Sequence, residues 1–207
     1  MFITLEGPEG SGKTSHIKPL CDWLEKNGQS VYATREPGGT PIGEQIRDVI
    51  HDMKNTLMHP RTEALLYQAA RAQIVEQELR PRLESGQTVL CDRYFDSTLA
   101  YQGFGHQVIP LEELRSIIQF ATNGLTPDLT ILLDLPVEVG IKRKSNQQEW
   151  NRLDAFTLDF HQRVREGYHQ LVSLEPDRWV VIDADMEWQS IQNKLQKVVA
   201  SKLQLRK

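Results

Sequence analysis

The stretch Gly7-Pro8-Glu9-Gly10-Ser11-Gly12-Lys13-Thr14 constrains this chain more than any other. It matches a glycine, four free positions, Gly-Lys and then Ser or Thr, the pattern of a phosphate-cradling loop. Its surroundings agree with the pattern. Phe2-Ile3-Thr4-Leu5 is a short apolar, β-prone run just before it, and helical spacing begins at Ser15, so the loop joins a strand to a helix. The three glycines can take positive φ and bring backbone N–H groups onto phosphate oxygens. Lys13 reads as a mobile, solvent-facing cation for the outer phosphates, and Thr14 as a hydroxyl for Mg²⁺. The helix N-terminus adds its partial positive charge. A Gly-rich turn with a chance Lys-Thr is the plain alternative, and the strand–turn–helix setting argues against it.

Four further β-prone runs alternate with helical segments: Ser30–Thr34, Thr88–Cys91, Leu129–Asp134 and Trp179–Ile182. Several are apolar without alternation, as strands covered on both faces are. The chain therefore reads as an α/β fold, a P-loop doubly wound five-stranded parallel sheet flanked by helices, in one domain over 1–207. Ligands in such sheets gather at the carboxyl ends of the strands. The formal net charge of -4 argues against a dedicated nucleic-acid binder. No run approaches ~18 apolar residues, so no membrane span is expected. Cys21 and Cys91 lie in apolar stretches without metal-ligand spacing and read as reduced core cysteines of a cytoplasmic protein. No basic region followed by an apolar leader precedes the loop. The six histidines show no ligand spacing and read as surface or incidental.

Candidate site residues follow from the strand ends. The second strand runs into Arg35-Glu36-Pro37-Gly38-Gly39-Thr40, a constrained turn that suits a cis bond. Arg35 is then either a substrate contact or a surface arginine on a connecting loop. After Asn27-Gly28 stops the first helix, which Pro19 should bend, the next long helix spans Thr62 to Leu83. It puts Tyr67 and Arg71 on one face, where they could stack on a planar base and bond its edge, or simply pack and solvate. The third strand leads into Asp92-Arg93-Tyr94. Asp92 could hold Mg²⁺ or its water and Arg93 could bridge phosphates; the other reading is an Asp92–Arg93 ion pair. Leu111 to Phe120 is a helix of little chemical content, and Pro136 is placed to open another. That helix carries Arg143 and Lys144 into a polar stretch ending in Arg152-Leu153-Asp154. It has the look of a lid over phosphates at about 143–154, although a solvated loop explains many such runs.

Together these segments resemble the bacterial thymidylate kinases, nucleoside monophosphate kinases that act on dTMP. The resemblance spans essentially the whole chain. Beyond the loop it rests on Arg35 to Thr40, Leu65-Leu66-Tyr67-Gln68-Ala69-Ala70-Arg71-Ala72-Gln73, Asp92-Arg93-Tyr94 with Ser97-Thr98 and Ala100-Tyr101-Gln102-Gly103, and Pro127-Asp128-Leu129-Thr130 running into Leu133-Asp134. It implies ATP and dTMP as substrates, Mg²⁺ as cofactor and a homodimer. It also implies that Tyr67 stacks on thymine, Arg71 bonds the base, and Arg35 and Arg93 hold the acceptor phosphate. Ser97 and Thr98 fall beside the base, Gln102 within the dTMP site, Tyr101 beside the deoxyribose where it excludes a 2′-hydroxyl, and Glu9 near the 3′-hydroxyl. With no arginine in the phosphate loop, the resemblance asks the lid for one: Arg152 is the best catalytic match, and Arg143 is a second candidate on the ATP side. A deoxynucleoside kinase would not need Arg35 for an acceptor phosphate, and a nucleotide-dependent switch would not need Tyr67, Arg71 and Tyr101 together.

Overall fold

In the computed structural model, which describes residues 1–145 and 151–205, five strands lie parallel in one sheet. They are β1 (Phe2–Glu6), β2 (Val31–Arg35), β3 (Thr88–Asp92), β4 (Leu129–Asp134) and β5 (Trp179–Asp183), in the order β2-β3-β1-β4-β5. Every expected strand forms. Where the ends differ by one residue, the ladder runs past the apolar pattern into a polar residue: Glu6, Arg35, Asp92 and Asp183 each close a strand. The hydrophobic period stops where the backbone pairing does not, and those charged termini point the strands at the site.

Nine helices are described: α1 (Lys13–Lys26), α2 (Pro41–His51), α3 (Pro60–Ile74), α4 (Arg80–Glu84), α5 (Phe95–Thr98), α6 (Leu111–Thr122), α7 (Val137–Ser145), α8 (Leu158–Leu174) and α9 (Trp188–Leu203). Helix α1 runs on through Pro19. The long helix expected over Thr62–Leu83 is α3 and α4 joined by a π-helical turn, Val75–Leu79. A second π-helical segment, Leu99–Gly105, follows α5 and carries Tyr101 and Gln102; such turns recur at functional sites because they re-aim side chains.

The sheet is buried on both faces. Leu5, Leu90, Ile131 and Leu133 pack with Leu20 and Leu24 of α1 and Leu195 and Val199 of α9. On the opposite side Leu132 and Trp179 meet Leu99, Val164, Tyr168 and Leu171. Each such fully buried side chain is worth about 1.5–3 kcal/mol, enough to make the sheet a rigid platform. Cys21 and Cys91 are free and buried, as expected. Among the described residues no helix is long and apolar enough to cross a membrane.

Candidate active site

The loop between β1 and α1 is squeezed between two neighbours. Gly7 has φ +147°, and a Cβ there would strike the Leu133 carbonyl of β4; Gly10 has φ +72°, and a Cβ would strike the backbone of Gly140 in α7. Both positions need glycine for conformation and for room. Gly12 caps α1 in a left-handed conformation with no side-chain cap, leaving first-turn N–H groups for an anion. Lys13 differs from its expected solvent-facing pose. It is 6% exposed, and its Nζ donates to the carbonyls of Gly7 (2.9 Å) and Pro8 (3.0 Å) and to Ser11 Oγ (3.1 Å). Burial and the nearby Arg93 push its pKa down to about 8 against the pull of Glu9 and Asp92, so it stays mainly charged at neutral pH.

Asp92 and Arg93 do not pair with each other. Thr14 Oγ1 donates to Asp92 Oδ2 at 2.5 Å, bringing a hydroxyl and a carboxylate together at the loop. Arg93 has φ +69°, a left-handed conformation that costs a non-glycine residue of order 1–3 kcal/mol and is held only by its surroundings. Its Nη1 donates to the Gly7 carbonyl and to the hydroxyls of Ser97 and Tyr168, its Nη2 to Glu9 Oε1 (2.8 Å) and to Tyr101 Oη (3.1 Å). Although burial opposes it, the charges of Arg93 and Lys13 take the Glu9 carboxyl down to about 2.

In front of the loop lies a cleft of about 810 Å³. Six cations line it, Lys13, Arg35, Arg47, Arg93, Arg143 and Lys144, against three carboxylates, Glu9, Glu36 and Asp92. A chain with net charge -4 thus builds a locally positive trough, which suits polyanions. Arg35 is half-exposed and paired with Glu44 at 3.0 Å. Arg143 donates to the Ala184 carbonyl (2.9 Å) and Asp185 (3.0 Å) in the β5–α9 loop. Arg47 and His51 of α2 were not singled out from the sequence. Their signal was the α2 pattern, in which Ile46 and Ile50 face the core and Arg47 and His51, each one position further on, turn to the cleft. Burial and Arg47 push His51 down to about 4, so it is neutral at pH 7. The histidines are not all incidental: His16 and His161 are buried, and His16 Nδ1 lies 2.8 Å from Gln192 Oε1.

A narrower pocket continues from the cleft, sharing Glu9, Glu36, Tyr67, Arg93 and Leu153 with it. Arg71, Tyr94, Ser97, Tyr101 and Gln102 complete its walls. Arg71 is immobilised: Nε donates to Glu36 Oε2 (2.8 Å), and Nη1 to Gln68 Oε1 (2.8 Å) and Thr98 Oγ1 (3.0 Å). Thr98 therefore stands behind Arg71 and is not among the residues lining the pocket. Gln102 Nε2 is committed to Glu63 Oε1 (2.7 Å). Glu36 Oε1 is buried with no partner among the described residues, an acceptor left over for a donor on a bound molecule.

The expected lid is reached in part. Residues 146–150 fall outside the described residues, while Lys144 and Asn151 line the cleft. Arg152 is not brought to the phosphate loop. It is 7% exposed, its Nε donates to the Ile50 carbonyl (2.9 Å), and its Nη2 pairs with the buried carboxylate of Glu63. A guanidinium this deeply buried needs a carboxylate, and α3 supplies it.

A family model described as thymidylate kinase matches residues 5–195. The thymidylate kinase of Bacillus pumilus is 48% identical over 98% of this chain and 96% of its own length. That of Halalkalibacterium halodurans is 47% identical over 99% and 98%, and that of Clostridium novyi 50% identical over 89% and 90%.

Proposed function

Because the chain belongs to the thymidylate kinase family, we propose that it transfers the γ-phosphoryl of ATP to dTMP, giving ADP and dTDP. The observation that carries this reading is the joining of a cation-lined cleft to an aromatic pocket walled by an arginine, the two sharing Glu9, Tyr67 and Arg93. ATP phosphates would lie along the loop from Gly7 to Thr14, with Arg143 on the donor-nucleotide side. Thymine would enter the narrow pocket, stacking on Tyr67 with its polar edge toward Arg71, Gln102 and Glu36. Tyr101 would wall off the sugar at C2′, with Glu9 near the 3′-hydroxyl. Arg35 and Arg93 would hold the acceptor phosphate, whose oxygen attacks the γ-phosphorus in line while the bond to the β-phosphate breaks. Little covalent work falls to the protein; positioning and neutralisation by Lys13 and Arg93 make up its share.

Thr14 and Asp92 supply adjacent oxygen donors at the phosphate end of the cleft. Among the described residues no group of three or more His, Cys, Asp or Glu could hold a metal alone. That fits Mg²⁺, which keeps waters and substrate phosphates as its other ligands and would neutralise phosphate charge there. Arg152, tied to Glu63, would anchor the far end of the lid beside Leu153. One domain over 1–207, a homodimer and a cytoplasmic location belong to the same proposal. The test is a panel of nucleoside monophosphates, with thymidine included, given ATP and Mg²⁺ while ADP release is followed. The expected acceptor is dTMP; turnover of thymidine in its place would overturn the reading.

A further inference from the structure

Glu6 has no task in the reading above, and it lines neither the cleft nor the pocket. It is nonetheless a fully buried carboxyl at the end of β1, directly beneath the phosphate loop. Such a group persists in a core only when donors surround it. Three do: the Tyr94 backbone N–H at 2.7 Å, Ser97 Oγ at 2.6 Å and Tyr168 Oη at 2.9 Å.

The two hydroxyls are the informative partners. Each has a single proton and two lone pairs. A hydroxyl that donates to Glu6 has only its acceptor side left to show. Ser97 Oγ and Tyr168 Oη lie 2.9 Å apart, and both accept from Arg93 Nη1, at 3.1 and 3.2 Å. With their protons directed to Glu6 or to each other, both hydroxyls are left presenting oxygen lone pairs to the same guanidinium nitrogen. The opposite nitrogen of Arg93 is fixed independently by Glu9 and Tyr101. The Tyr94 N–H bond anchors the residue that follows Arg93, whose own backbone is in a left-handed conformation.

We propose that Glu6 is a positioning residue, holding the Arg93 guanidinium at the cleft through the hydroxyls of Ser97 and Tyr168 without touching either substrate. The inference deepens the proposed function, since it rests on Arg93 binding the acceptor phosphate.

A double-mutant cycle tests it, with Glu6→Gln, Arg93→Lys and the pair assayed by steady-state kinetics well below each variant's melting temperature. Glu6→Gln should lower kcat/KM for dTMP by at least about tenfold, with the KM for ATP changed by less than about twofold. In the Arg93→Lys background the same substitution should cost less than about twofold, because groups acting through one another are not additive. Tyr168→Phe keeps the ring in the core and deletes one relay hydroxyl. It should show a smaller loss with the same non-additivity, and it carries the test if Glu6→Gln does not fold. Losses that multiply independently overturn the relay and leave the phosphate assignment intact. A folded Arg93→Ala variant with near wild-type kcat/KM for dTMP refutes the phosphate assignment, and the relay falls with it.

Discussion

Replacing Arg152 by alanine separates an anchoring role from a catalytic one. The substitution strands Glu63, which is 1% exposed, without its guanidinium. Breaking a buried pair by removing one partner costs about 3–5 kcal/mol. Glu63 would keep the Gln102 amide at 2.7 Å and His106 Nε2 at 3.0 Å, so the lower end of that range applies. About 3 kcal/mol in a domain of this size corresponds to a fall in melting temperature of roughly 6–12 °C. The pH dependence has a definite sign. Burial pushes the Glu63 carboxyl up, but His106 and Arg152 outweigh it and hold the folded pKa below the ordinary 4.5. Its stabilising contribution is therefore present above that value and lost as pH falls through the folded pKa. The gap between wild type and Arg152→Ala, followed by thermal circular dichroism, should be widest near neutrality and close in acid. Combining Glu63→Gln with Arg152→Met should recover at least half of the loss, because neither charge is then left unpaired. In the folded variant kcat should stay within about fivefold of wild type, where an arginine on the transferring phosphoryl would cost about 10³–10⁵. A melting temperature within about 2 °C of wild type, together with a fall in kcat beyond about 10²-fold, would refute the anchoring role.

Other outcomes follow from the cleft and the pocket. Lys13→Met should reduce kcat by at least about 10²-fold, the scale for losing one donor to developing charge, while far-ultraviolet circular dichroism stays native. Tyr67→Ala should weaken dTMP by roughly 5- to 150-fold, the equivalent of about 1–3 kcal/mol of stacking, with ATP affinity unchanged in a binding titration. Equal losses for both nucleotides would remove the ring from the acceptor side. Tyr101→Ala should raise turnover of ribothymidine monophosphate relative to dTMP, whereas Tyr101→Phe should keep the discrimination and lower kcat, since it retains the wall but frees Glu9 and Arg93. An unchanged ratio in the alanine variant would place the sugar elsewhere.

The sheet was readable because its information is local. Runs such as Leu129–Asp134 are apolar at successive positions, and the glycines of the loop declare their conformations by residue type. The π-helical segments were not readable. Val75–Leu79 and Leu99–Gly105 carry good helix formers or mixed residues, and only packing against α8 and β3 decides where the helix widens. Burial of single polar groups was equally hidden. Thr98 sits beside Ser97 in the sequence, yet one faces Arg71 from behind and the other joins the pocket wall. Glu6 looks like the last residue of a strand, and its partners Ser97 and Tyr168 lie 91 and 162 positions away.

The arginines show most plainly what a sequence withholds. Arg35 and Arg93 lie at strand ends, Arg71 in α3 and Arg152 in the segment before α8, and periodicity ranks none above another. What sorts them is the carboxylate each meets. Arg71 and Arg152 are sunk beside Glu36 and Glu63, where a neutralised pair adds little net charge to the cleft. Arg93 meets Glu9 at the cleft wall and keeps one face toward the space where the cleft and pocket join. Arg35 pairs only with a half-exposed Glu44, a contact worth at most about 1 kcal/mol and easily exchanged for a phosphate. An arginine with a weak, exposed partner is free to move to a substrate, whereas one paired inside the protein meets a ligand only from a fixed position. On the proposed reading Arg35 and Arg93 would meet the acceptor phosphate, with Arg71 fixed in the pocket wall by Glu36 and Arg152 held at Glu63.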